Sequence, residues 1–340
     1  MHLALVLATK SSQIASLIQR ALQKFDISYE ILALNEVAPP ALSKATYLVI
    51  IGRDRDLLQI HQTIGDLSIP ILGVNISGET SFLMEISIEM FERAIHHILN
   101  RDFLIEDITR IHINSEEINA FAINEVAIFP KRSASLIEYA LFIDNNFVWR
   151  DHCDGVIIAT PMGSTAYAMS AGGAIVSPRA RVLEIVSVNS IDPSRRPLIV
   201  PDNSEILVKE INSRYTVEVI VDGIVRQSLE SDYLVIKKAE KPLKLIRLPR
   251  EKKIYDERIL KKMRLGEEIM SLPPSAKFVL KVLEYEGPLT QKDLIEKTML
   301  PDRTVRYALS LLISKGLVKE DLLNRDARKK IYRLSGQLKR

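Results

Sequence analysis

The chain has 340 residues, 47% of them hydrophobic and 26% charged, with a formal net charge of +3. This is the composition of a soluble globular protein with two or three domains, and it excludes a disordered, collagen-like or coiled-coil chain. One cysteine, Cys153, excludes an internal disulfide framework and a multi-Cys zinc site. The start, Met1 to Ala8, lacks a basic flank and reads as a core strand rather than a signal peptide. No apolar run reaches about 18 residues, so no membrane-spanning helix is expected and the predicted location is cytoplasmic.

Residues 2–8 form a continuous apolar run, as in a strand buried on both faces. Ser11-Ser12 can cap a helix with Ile14, Leu17, Ile18, Ala21 and Leu22 on one face. Strands are expected at Tyr29–Leu34, Tyr47–Ile51 and Ile69–Val74. A polar loop, Gly52–Asp56, leads into a helix through Leu57, Leu58 and Ile60. Strands alternating with helices imply an open parallel α/β sheet, and ligands of such sheets sit at the carboxyl ends of the strands, where Gly52–Asp56 lies. From about Phe103 alternating runs dominate: Ala122–Ile128, Leu136–Ile143, Val156–Ala159, Glu205–Lys209 and Thr216–Val221. Turn signals at Asp144-Asn145-Asn146, Pro201-Asp202-Asn203 and Asp222-Gly223 separate them. The expected layout is an α/β nucleotide-binding domain over 1–101, then an all-β, sandwich-like domain over 102–249. A basic linker over 250–270 and a separate module over 271–340 follow.

The most informative stretch runs from Asp154 to Gly173: a strand, a Gly/Ser/Thr-rich turn and a helix start. Small residues let a ligand approach the backbone, and hydroxyls with free amide groups can hold an anion or a ribose. Thr160-Pro161-Met162-Gly163-Ser164-Thr165-Ala166-Tyr167, followed by Ser170-Ala171-Gly172-Gly173, resembles the signature of the NAD kinase family. Asn124-Glu125, Arg196–Pro201, Val221-Asp222-Gly223, Gly73-Val74-Asn75 and Phe82–Glu85 resemble further family segments, in the family's order, over about residues 1–249. The resemblance implies transfer of a phosphoryl group from ATP or polyphosphate, with Mg²⁺, to the 2′-hydroxyl of the NAD adenosine ribose. It implies that Asn124 and Glu125 hold ribose or adenine. Asp154 would hold NAD near the nicotinamide end or through a neighbouring subunit. Thr165, Ala166, Tyr167 and Ser170 would line the adenine pocket, and Asp222 would sit near the nucleotide. It also implies a homodimer or homotetramer.

The family's phosphate loop reads Gly-Gly-Asp-Gly-Thr; here Gly52-Arg53-Asp54-Arg55-Asp56 stands in its place. Glycines there would permit positive φ and close approach of phosphates, and a non-glycine residue at positive φ costs about 1–2 kcal/mol. Against that, arginine forks bind phosphate and stabilise the charge of phosphoryl transfer. Asp54, which the resemblance makes the residue that activates or orients the 2′-hydroxyl, is retained. Two readings follow: an enzyme with an arginine phosphate loop (Gly52, Arg53, Arg55) and catalytic Asp54, or an inactive fold that senses NAD(P) and regulates transcription. In the second, Arg53/Asp56 and Arg55/Asp54 would pair in a solvated loop.

The charge is unevenly spread. Residues 1–240 carry 21 Lys/Arg against 30 Asp/Glu, net −9, and residues 241–340 carry 25 against 13, net +12. Such a basic appendage suits a polyanionic partner. In 271–340 a first helix with Phe278, Val279, Val282 and Leu283 inward is followed by a second capped by Thr290. A third spans Arg303 to Lys315 and stops at Gly316, and a hairpin turns around Asn324-Arg325-Asp326. This resembles a winged helix-turn-helix of archaeal regulators. It implies DNA contacts by Arg303, Thr304, Arg306 and Tyr307, and phosphate contacts by Arg325, Arg328, Lys329 and Lys330. The six histidines (2, 61, 96, 97, 112 and 152) show no ligand spacing, and no structural metal is expected.

Overall fold

The computed structural model describes residues 2–9, 11–76, 81–132, 135–249, 271–323 and 326–334. These form two compact units: residues 2–76 with 83–249, and the described residues from 271 onward with Ser81 and Phe82. The expected linker over 250–270 lies outside the described residues.

The first unit opens with β1 (His2–Leu7), α1 (Ser12–Leu22), β2 (Ser28–Ala33), β3 (Tyr47–Gly52), α2 (Asp54–Ile64), β4 (Ile71–Asn75), β5 (Ile86–Ser87) and α3 (Phe91–Leu99). Ser11 caps α1, its Oγ accepting the Ile14 amide. Ile18 and Leu22 of α1 and Phe91 and Ile95 of α3 cluster with Leu3, Leu5, Val49 and Ile51, which is why the strands read as unbroken apolar runs. The sheet order is β2-β1-β3-β4-β19-β6, with the first four strands parallel and β5 paired to β4. Its last two strands are β6 (Leu104–Ile108) and β19 (Leu243–Arg247). Both were assigned by sequence to the second domain, yet they complete the first sheet. β19 buries apolar side chains on both faces, Leu243 and Leu245 on one and Ile246 on the other, and Ile246 joins the core of the first sheet.

Between them lie two six-stranded antiparallel sheets. One has the order β11 (Asn146–Cys153), β10 (Ile137–Ile143), β15 (Ile206–Ser213), β18 (Tyr233–Lys238), β7 (Ile111–Asn114), β8 (Asn119–Ala122). The other has the order β14 (Leu198–Pro201), β13 (Val182–Val188), β12 (Gly155–Ala159), β9 (Glu125–Pro130), β16 (Val217–Val221), β17 (Val225–Leu229). Alternation sends Val126, Ile128, Val156, Ile158, Leu183 and Ile185 into a shared core with Ile137, Tyr139 and Leu141. The opposite face of the second sheet, Ala127, Ile157, Ala159 and Val186, is covered by Ala168 from the one-turn helix α4 (Tyr167–Ser170). The turn at Asp144-Asn145 has φ of 50° and 65°, as its sequence predicts for a tight hairpin. The single strand expected at Ala122–Ile128 is instead two strands in two sheets, β8 and β9. Ile123 and Asn124 break the ladder because their amides turn to Asp222.

The second unit consists of α5 (Pro274–Glu286), β20 (Leu289–Thr290), α6 (Gln291–Thr298), α7 (Asp302–Ser314), β21 (Val318–Leu323) and β22 (Asp326–Leu334), with strand order β20-β22-β21. Thr290 caps α6 through the Asp293 amide, and Gly316 stops α7 with φ of 69°. Val279 and Leu283 are buried as predicted, Val282 is partly buried, and Phe278 is 45% exposed rather than inward. The core is completed by Ala276, Leu294, Val305, Leu309, Leu312 and Leu334.

Candidate functional site

At the carboxyl end of β3 the polar loop is shorter than its sequence suggests. Arg53 is the one extended residue (φ −120°, ψ 170°) before α2, which begins at Asp54 and takes in Arg55 and Asp56. Neither arginine has positive φ, so the expected strain is absent. Gly52 is still required: a Cβ there would lie 2.6 Å from Asp56 Oδ2 and 2.9 Å from Ala8 Cβ. Asp56 Oδ2 accepts the Arg53 amide at 2.8 Å, so the expected Arg53/Asp56 pairing runs through the backbone rather than the guanidinium. Asp54 Oδ1 accepts the amides of Leu83 and Met84 at 3.2 and 3.3 Å. Arg53 and Arg55 are exposed, flanking Asp54 at the positive end of an 11-residue helix.

The second part of the site is built around a buried carboxylate. Asp222 sits in the β16–β17 turn at φ 51°, 6% exposed. Its Oδ1 accepts the amides of Asn124 (2.7 Å) and Glu125 (3.2 Å), and its Oδ2 accepts that of Ile123 (2.9 Å). Gln62 Nε2 donates to the same Oδ2 (3.3 Å) and to the Phe121 carbonyl (2.7 Å). Burial pushes the Asp222 carboxyl up to about 6, while the amide donors hold it down. Asp222 thus grips the backbone that presents Asn124 and Glu125.

The signature turn closes on the same strip. Thr160 donates from Oγ1 to the Ile123 carbonyl (2.5 Å) and from its amide to the Asn124 carbonyl (2.8 Å). A Cβ on Gly163 would come to 2.0 Å from the Asn124 carbonyl oxygen, so only glycine fits. Ser164 Oγ donates to the Pro161 carbonyl and accepts the Val176 amide. Thr165 is buried, Ala166 half-buried, and Tyr167 and Ser170 exposed on α4. The expected helix start is one turn only, so it supplies no helix-end anion site. Tyr167 stacks on Phe129, centroids 5.7 Å apart, and that ring in turn excludes any Cβ at Gly155.

The structure gathers Asn124, Glu125 and Asp222 with the Thr160–Ser170 turn. Asp154 is elsewhere: it precedes the first residue of β12, while Ala159, at the far end, pairs with Glu125. Five residues of strand put it about 17 Å away along the sheet, and Asn189 Nδ2 donates to its Oδ2 at 2.8 Å.

One residue was missed. Glu184 of β13 pairs with Ala159 as Glu125 does, so the two glutamates occupy one row and one face, about 10 Å apart. Glu184 is 1% exposed, accepts the Ala174 amide beneath the signature turn, and keeps Oε2 buried without a hydrogen-bond partner among the described residues. Burial pushes its carboxyl up. An acid inside the apolar run Val182–Val188 was the signal for it.

In the second unit, Arg303, Arg306 and Tyr307 are exposed on α7, opposite buried Val305, Ala308 and Leu312, and Thr304 is half-buried. Arg306 pairs with Asp302, and Lys330 with Glu320 at 3.1 Å. Arg325 lies outside the described residues, as do the side chains of Arg328 and Lys329. Among the described residues no helix is long and apolar enough to cross a membrane, and no three His, Cys, Asp or Glu cluster as metal ligands.

A family model described as the ATP-NAD kinase C-terminal domain matches residues 123–248, beginning inside the strip that Asp222 grips. The chain is 34% identical over 231 residues to an NAD kinase of Hydrogenovibrio crunogenus, covering 66% of this chain and 78% of that one. It is 33% identical over 208 residues to one of Methanothermobacter thermautotrophicus, covering 61% and 73%. An Archaeoglobus fulgidus NAD kinase solved in complex with ATP superposes with a TM-score of 0.66 at 26% identity, over 78% of this chain and 99% of that one. A yeast NADH kinase solved with NADH shares the fold at 20% identity, with a TM-score of 0.65 over 80% of this chain and 89% of that one. With the signature turn, the Asn-Glu strip and the Asp-Gly turn assembled in one place, this chain belongs to the NAD kinase family.

Proposed function

We propose that the protein phosphorylates the 2′-hydroxyl of the NAD adenosine ribose to give NADP, using ATP or polyphosphate with Mg²⁺. The observation that carries this is the loop after β3: Asp54 stands between two exposed arginines at the start of α2, on an unstrained backbone. In this reading Asn124 and Glu125 hold the adenosine ribose and adenine, with Thr165, Ala166, Tyr167 and Ser170 along the adenine. Asp154 lies toward the nicotinamide end or serves a neighbouring subunit of a homodimer or homotetramer. Arg53 and Arg55 take the place of glycine amides as phosphate donors. The 2′-oxygen forms its bond to the γ-phosphorus as the bond to the leaving phosphate oxygen breaks. Asp54 orients the hydroxyl and takes its proton, and Mg²⁺ arrives on the donor's phosphates.

The second unit, read as a winged helix-turn-helix, presents Arg303, Arg306 and Tyr307 to DNA, with Thr304 beside them and Lys330 on the hairpin. One observation favours the rival reading, an inactive NAD(P) sensor controlling DNA binding: an oxygen of Asp54 is already taken by two backbone amides. NADP formation from NAD, Mg²⁺ and either donor, against an Asp54→Asn control, decides between them. Turnover lost in the control supports the kinase. No turnover in the wild type, with NAD still raising Tm, supports the sensor.

A further inference from the structure

Helix α2 carries Asp54 in its first turn and Gln62 in its last, eight residues and about 12 Å apart. Gln62 reaches two acceptors with one amide group: the Phe121 carbonyl at 2.7 Å and Asp222 Oδ2 at 3.3 Å. Every hydrogen bond that the structure gives the Asp222 carboxylate comes from a donor, three backbone amides and Gln62. Protonation would therefore turn one accepting oxygen into a donor facing donors. Neighbouring charges on α2 and beyond are committed elsewhere. His61 is held neutral by burial and then by Arg110, and Arg110 is tied to the Gly65 and Lys241 carbonyls and to Asp66.

We infer that Gln62 is a positioning residue: through Asp222 it sets the Ile123–Glu125 strip against α2. It thereby links the helix bearing Asp54 to the segment that holds the dinucleotide. The inference rests on the reading above that Asn124 and Glu125 bind NAD. A neutral side chain is required because a carboxylate there would repel Asp222 and a shorter one would not span both acceptors.

The test is Gln62→Glu in the full-length protein. At about pH 8 the two carboxylates repel, and KM for NAD rises about tenfold or more while kcat holds. Near pH 6 the pair shares a proton and KM falls back toward the wild-type value. The protection factors of the Ile123, Asn124 and Glu125 amides, measured against the intrinsic rate at each pH, follow the same course: below the wild type's at the higher pH and restored at the lower. Gln62→Ala raises KM at every pH. A merely structural Gln62 would lower Tm in both variants while leaving KM and the protection factors of these amides in the same relation to the wild type at both pH values, and that result overturns the inference. If the wild type neither binds nor phosphorylates NAD, the functional reading fails. The protection of the three amides then still decides the link: protection factors below the wild type's at about pH 8 and restored near pH 6 in Gln62→Glu sustain it, and protection factors equal to the wild type's at both remove it.

Discussion

The two halves of the candidate site are built on opposite principles. The strip of Ile123–Glu125 and the turn of Thr160–Gly173 are joined by backbone groups at van der Waals limits: a buried aspartate collects three amides, and one glycine has no room for a methyl. The loop of Gly52–Asp56 is a helix start whose two novel side chains face solvent. Backbone-locked geometry admits few residues, whereas an exposed helix start accepts arginine for glycine at no conformational cost. That is why the family signature is intact in one half and rewritten in the other.

The sharpest break of this contrast is Asp222→Ala. It strands three buried amides, and at about 1–3 kcal/mol for each unsatisfied group it should abolish NAD binding and much of the stability; chemical denaturation and calorimetric titration with NAD measure both. Gly163→Ala comes next, with about 2–4 kcal/mol lost because its methyl meets a carbonyl oxygen that cannot withdraw without parting the two strips. A wild-type Tm in that variant would show that the turn is looser than its geometry. The replaced loop should behave oppositely. Arg53→Gly with Arg55→Gly should move stability by about 1 kcal/mol or less, yet raise the KM for the phosphoryl donor; a large loss of Tm would mean that the arginines hold the fold.

A pH series tests a buried group outside this contrast. His61 is pushed down to about 3, first by burial and then by Arg110, from an ordinary value of 6.5. The folded state therefore binds fewer protons than the unfolded chain between those values. The stability from keeping His61 neutral is complete above pH 6.5 and drains as pH falls toward 3. Urea midpoints should decline over that window, and His61→Gln, which keeps an acceptor for Arg110, should flatten the decline.

Much of this was readable in the sequence. The buried parallel strands, the hairpins at Asp144-Asn145 and Asp222-Gly223, the caps at Ser11 and Thr290 and the signature turn each follow from local chemistry. What was not readable depends on partners distant in the chain. The division of Ala122–Ile128 needs Asp222, about 100 residues later. The burial of Glu184 beneath Ala174 needs the return of the signature turn. The destination of β19 cannot be told from its alternation, since a strand of that pattern suits either sheet.

That destination has a consequence for how the chain can be made and cut. Leu243–Arg247 fills the place between β4 and β6, so everything from β7 to β18 is a long insertion within the first sheet rather than a sequel to it. A fragment ending near residue 101 would leave the start of β4, where β19 pairs and β5 does not reach, as an open, apolar template for pairing with other chains. On the ribosome the first four parallel strands, complete at Asn75, must wait about 170 residues before the last strand begins at Leu243. The amino-terminal half is therefore the part most in need of protection during synthesis.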